Sequence, residues 1–187
     1  MAVLASCDQG ESPYMTPEAI AAVDRFCGEY KIAGMELTDG TIDLDGDGIS
    51  SIYLMEEMKK TGWLGASSPF DELLSRVPPK TRKDQQPQIL LYFPTGTGDV
   101  NPWIPQTVTM ENLQFRYDVD DHGVITAPVN SVYSLSSIEN FKLNIIDDWN
   151  IEAYGTIDLY DRSLEAHVKR TVHAVYHCVS TKEKPKK

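Results

Sequence analysis

Cysteine is scarce in this chain. Three occur in 187 residues, Cys7, Cys27 and Cys178, too few for a disulfide scaffold. No apolar run approaches the roughly 20 residues that a membrane-spanning helix needs. Positive charge is also short. Seventeen Lys and Arg face 28 Asp and Glu, a net charge of −11 that argues against a nucleic-acid-binding surface. The one basic cluster is Lys182-Glu183-Lys184-Pro185-Lys186-Lys187, which reads as a solvated end.

Catalytic signatures are missing as well, so the chain is expected not to be an enzyme. Ser67, in Gly65-Ala66-Ser67-Ser68-Pro69, lacks the second glycine of a nucleophile elbow. Thr95-Gly96-Thr97-Gly98-Asp99 lacks the lysine of a phosphate-binding loop. His167, His173 and His177 lie in an alternating, β-rich stretch. At about 3.3 Å per residue, His173 and His177 would stand about 13 Å apart along a strand, too far for one ion. Asp120-Asp121-His122-Gly123 is explained by turn chemistry, with glycine where φ must be positive.

What the chain does have is Asp43-Leu44-Asp45-Gly46-Asp47-Gly48. Ca²⁺ takes roughly 6–8 oxygen ligands, and a D-x-D-x-D-G loop gathers three carboxylates around one point. Counted from Asp43 as in an EF-hand, Ile49 supplies its backbone carbonyl, but Leu54 stands where the bidentate glutamate belongs. The preceding residues, from Glu29 to Leu37, are strand formers and not an entering helix. The loop is therefore not a standard EF-hand. Its expected ligands are Asp43, Asp45, Asp47 and Ile49, closed by Glu57, Glu56 or the Ser51 hydroxyl. The plain alternative is an Asp/Gly turn that caps the next helix. Carboxylates so close repel by on the order of 1 kcal/mol per pair even in water, a cost that a bare turn leaves uncompensated.

Around the loop the pattern is mainly β. Thr16-Pro17-Glu18 predicts a helix start, with Thr as N-cap and Pro at the first helical position. A strand is expected from Gly28 to Leu37. A second helix follows over 50–60, and a third, short one over 70–76. Residues 77–87 read as an exposed, proline-rich linker. From Gln88 the chain alternates in strand fashion. The cleanest stretch sets Trp149, Ile151, Ala153, Gly155, Ile157 and Leu159 on one face. In the last strand Val168, Val172, Ala174, Tyr176 and Cys178 share a face. Such a run of antiparallel neighbours with one buried face suggests a meander closing into a barrel or a sandwich. A closed barrel requires the first and last strands to pair, with residues near Tyr30 beside residues near Tyr176. The expected organisation is a single β domain over residues 16–180, preceded by a tether at 1–15 and followed by the basic tail at 181–187.

Leu4-Ala5-Ser6-Cys7 fits a lipobox, in which a small-residue run precedes a cysteine that becomes lipidated, and the polar residues 8–13 suit a tether. Lipidation at Cys7 would place the protein in a bacterial cell envelope. Cys27 and Cys178 fall on faces of their strands that do not favour an easy bridge. Of the three tryptophans, Trp149 fits a barrel interior by parity.

Several short motifs carry a family resemblance. Gly28-x-Tyr30-Lys31-Ile32 resembles the Gly-x-Trp-Lys-Leu opening strand of lipocalin-like domains, with Tyr for Trp. The Asp loop with Ser50-Ser51 and Glu56-Glu57 is similar to an insert of Bacteroidetes lipocalin-like lipoproteins. Tyr117-x-Val119-Asp120-x-x-Gly123-x-Ile125 resembles their central hairpin, and Tyr160-Asp161 with Val175-Tyr176 their ending. The resemblance implies an antiparallel up-and-down, lipocalin-like (calycin) β-barrel on a lipid anchor, with no catalytic residues. On that reading Tyr30, Trp149, Ile151 and Tyr176 would line a site for a small or apolar ligand. The alternative is a filled barrel serving as a structural or interaction module of an envelope complex, with an apolar cavity or a solid core deciding between them.

Overall fold

The computed structural model describes residues 12–61, 72–96, 108–127, 137–147 and 149–180. Cys7, Trp63, Ser67, Trp103 and the tail at 181–187 lie outside them, as do residues 1–11 of the expected 1–15 tether.

Among the described residues two helices, α1 (Pro17–Phe26) and α2 (Leu54–Lys60), accompany nine strands: β1 (Gly28–Leu37), β2 (Ser75–Val77), β3 (Gln88–Thr95), β4 (Thr109–Arg116), β5 (Asp118–Val119), β6 (Ile125–Thr126), β7 (Ile138–Ile145), β8 (Asn150–Asp161) and β9 (Ala166–Ser180). Thr16 caps α1: its hydroxyl accepts from the Ala19 amide at 3.2 Å, satisfying one of the orphan donors of the first turn. Ala19, Ala22, Val23 and Phe26 form the helix's buried stripe.

Seven strands make one sheet in the order β4-β3-β2-β1-β9-β8-β7, while β5 and β6 form a separate hairpin. Every pairing is antiparallel. The first and last strands pair, with Tyr30 opposite Cys178, Ile32 opposite Tyr176 and Leu37 opposite Val172. The sheet curls into a half-barrel with β1 and β9 side by side at its centre. Its edges β4 and β7 meet through side chains: Phe115 lies 5.9 Å from Phe141, whose ring also stands edge-on to Phe93 at 5.3 Å. Among the described residues no backbone ladder joins these two strands.

The alternation resolves as a buried face. Ile151, Ala153, Ile157, Leu159, Val172, Ala174, Tyr176 and Cys178 are buried, and Val168 is partly so. Gly155 belongs to this face for a steric reason. A Cβ there would lie 2.6 Å from the Ile138 Cγ2 and 3.0 Å from the Phe93 ring, so the bare backbone lets β3 and β7 approach β8. Aromatic rings are packed into the core: Tyr30, Phe26, Phe93, Phe115 and Tyr176 are each at most 2% exposed. Fully burying one such side chain is worth roughly 1.5–3 kcal/mol, which makes this face the main source of stability. Cys27 and Cys178 are both buried thiols.

Three local expectations are corrected. Trp149 is 47% exposed and not interior. The Asp147 carboxylate accepts from the Trp149 and Asn150 amides at 2.7 and 2.8 Å, so this residue belongs to a turn and the burial alternation begins after it. The expected helix over 70–76 ends in a strand instead, because Ser75–Val77 is captured between β1 and β3. The proline-rich 77–87 stretch is docked rather than a free linker. The Tyr117 hydroxyl donates to the Pro78 carbonyl at 2.8 Å, and buried Lys80 pairs with Asp118 at 2.7 Å.

Candidate metal site

The Asp loop leaves β1 and returns to α2, and its neck is closed by a two-residue ladder. The Ile42 amide donates to the Ser51 carbonyl and the Ser51 amide to the Ile42 carbonyl, both at 2.9 Å. The β8–β9 side of the sheet holds the loop in place. The Arg162 amide donates to the Asp43 carbonyl at 2.8 Å, and the Arg170 Nε to the Thr41 carbonyl at 3.1 Å. Asp39 takes the Thr171 amide on both carboxylate oxygens, at 2.9 and 3.0 Å.

Within the loop the carboxylates fold back onto their own backbone. Asp43, fully buried, accepts from the Gly46 amide at 2.6 Å and the Gly48 amide at 3.0 Å. Asp45 accepts from the Asp47 amide at 3.0 Å, and Asp47 from the Ile49 amide at 2.7 Å. Gly46 and Gly48 have φ of 77° and 83°, the left-handed region in which a side chain costs roughly 1–2 kcal/mol. The D-x-D-x-D-G spacing is thus what makes the turn possible: short acceptors on alternate residues, glycines where the chain reverses.

Glu57 closes the arrangement. It is fully buried, whereas Glu56 is exposed, and its Oε2 accepts from the Leu44 amide at 3.1 Å. Ser51 is engaged elsewhere, accepting from the Tyr53 amide at 3.0 Å. The position comes three residues later than in an EF-hand because the returning helix starts only at Leu54. Carboxylate oxygens of Asp43, Asp45 and Glu57 lie within 4.8 Å of one another, a triad that could hold a metal ion. Oxygen-only donors suit hard cations. Of the expected carboxylate ligands, Asp47 stands apart from this triad. Asp47 turns its other oxygen toward Lys60, 3.3 Å away, while its Oδ1 accepts from the Ile49 amide at 2.7 Å.

Lys60 is the feature that the sequence reading missed. One α2 turn after Glu57, its ammonium lies 3.2 Å from Glu57, 3.3 Å from Asp47 and 3.6 Å from Asp45. Its i,i+3 spacing from Glu57 was visible in the sequence and is the signal that could have found it. Bonding to Glu57 and Asp47 raises the Lys60 pKa above the ordinary lysine value, and the Ile49 amide, followed by Lys60, lowers that of Asp47. The lysine side chain is 44% exposed, so its head can leave the site for solvent without a fold change.

The residues expected to line a ligand site are occupied with the core. Tyr30 donates its hydroxyl to the Phe26 carbonyl at 2.6 Å, and Tyr176 to the Tyr92 carbonyl at 2.7 Å. Burial pushes the Tyr176 pKa well above the ordinary value. Ile151 is fully buried, paired with Tyr176 of β9 on one side and Ile145 of β7 on the other. His167, His173 and His177 are dispersed along β9 and pair across to β8. His177 meets Asn150 at 3.0 Å, His167 meets Asp158 at 3.1 Å, and His173 stacks on Tyr154 with ring centres 4.5 Å apart. Asp120-Asp121-His122 forms the β5–β6 turn, with Asp120 accepting from the His122 and Val124 amides.

In comparisons with protein-family models, with curated proteins and with solved structures, nothing matches this chain.

Proposed function

We propose that this chain is a non-enzymatic envelope lipoprotein module of lipocalin-like type, a filled β-barrel whose 43–57 loop holds a structural Ca²⁺. The observation that carries the reading is the pairing of a core packed with buried aromatic rings with an acidic triad, buried at Asp43 and Glu57 and half-buried at Asp45, docked on the β8–β9 side of the sheet. A core in which Tyr30, Phe93, Phe115 and Tyr176 fill the concave face supports a part that presents its surface to a partner. It speaks less for a carrier that opens its interior. The Ca²⁺ would add a fixed cation between β1 and α2, holding Asp43, Asp45 and Glu57 together against their mutual repulsion. Envelope anchoring rests on Leu4-Ala5-Ser6-Cys7.

The test is native mass spectrometry of the full-length product, expressed with its upstream genomic sequence in a bacterial host that processes lipoproteins. The expected species carries lipid on Cys7 and one calcium, with no organic ligand retained. Retention of a stoichiometric apolar molecule would favour the carrier reading. An unmodified Cys7 in the mature chain would remove the envelope assignment.

A further inference from the structure

We draw no further inference here: the strongest candidate, the open groove of about 560 Å³ between the β5–β6 hairpin and β7 lined by Ile125, Thr126, Ala127, Leu143, Asn144 and Ile145, is a mixed polar and apolar face with nothing in the structure to show what covers it.

Discussion

Along β8 and β9, order comes from side chains that alternate between a dry face and a wet one; along residues 43–60 it comes from carboxylates that turn back onto their own backbone. The first region buries Ile151, Ile157, Val172 and Tyr176 and draws its stability from apolar area. The second buries Asp43 and Glu57, groups that are costly to desolvate unless bonded and charge-compensated. The difference teaches where each region is vulnerable. The sheet should respond to changes of volume and hardly at all to ions. The loop should respond to cations, pH and backbone conformation.

The largest effect is expected in the sheet. Phe93→Ala removes a fully buried ring that packs on Phe141 and against Gly155. It should cost about 3–5 kcal/mol in urea unfolding, with or without Ca²⁺. A loss that depended on calcium would erase the contrast between the regions.

Glycines sharpen the comparison next. Gly155→Ala should destabilise by about 1–3 kcal/mol through overpacking, since its Cβ would meet Ile138 and Phe93. Gly48→Ala meets nothing within 4 Å but must hold φ at 83°. It should cost about 1–2 kcal/mol by conformation alone. Gly34→Ala has open space and no positive φ, and should be neutral or stabilising by a few tenths of a kcal/mol. Chemical denaturation of the three variants side by side checks the ranking, and equal costs at Gly34 and Gly48 would deny the loop its strained turn.

Lys60→Gln comes third. The ammonium competes with any cation for Asp45, Asp47 and Glu57. Removing a unit charge about 4 Å away is worth on the order of 1 kcal/mol in a water-like medium, so Ca²⁺ affinity should rise roughly 5- to 10-fold. Unchanged affinity in calorimetry would mean that the lysine plays no part in setting it.

The smallest effect is in acid. The Ile49 amide and Lys60 lower the Asp47 pKa, and Asn150 with the Trp149 amide lowers that of Asp147. A carboxylate lowered in the folded state contributes stability that is complete above its unfolded pKa of about 3.9 and is lost as pH falls through the lower folded value. Protection factors of the Ile49 and Trp149 amides, taken relative to the intrinsic exchange rate at each pH, should therefore fall below about pH 4 while those of β9 stay high. Loss of β9 protection at the same pH would show that the loop and the sheet open together.

The sheet was the more legible of the two regions. Period-two burial marked the inner faces of β8 and β9, and closure logic put β1 beside β9, because one buried face admits few alternatives. Trp149 misled because parity says nothing about where a turn ends, and there the Asp147 carboxylate decides. Ser75–Val77 was hidden because three residues carry no period, and their strand exists only through β1 and β3. In the loop, carboxylate spacing exposed Asp43 and Asp45, and Glu57 was one of three closing candidates. Which of them closed the site depended on the helix starting at Leu54 and on the β8–β9 hairpin docking through Arg162, contacts that no local pattern encodes.

The central claim is that the 43–57 loop is a cation site, and calcium titration by isothermal calorimetry tests it most directly. The account predicts saturable one-site heat by millimolar Ca²⁺, abolished in an Asp45→Ala/Asp47→Ala double variant whose circular dichroism still shows the folded sheet. No heat from the wild-type chain, or equal heat from the double variant, would contradict it.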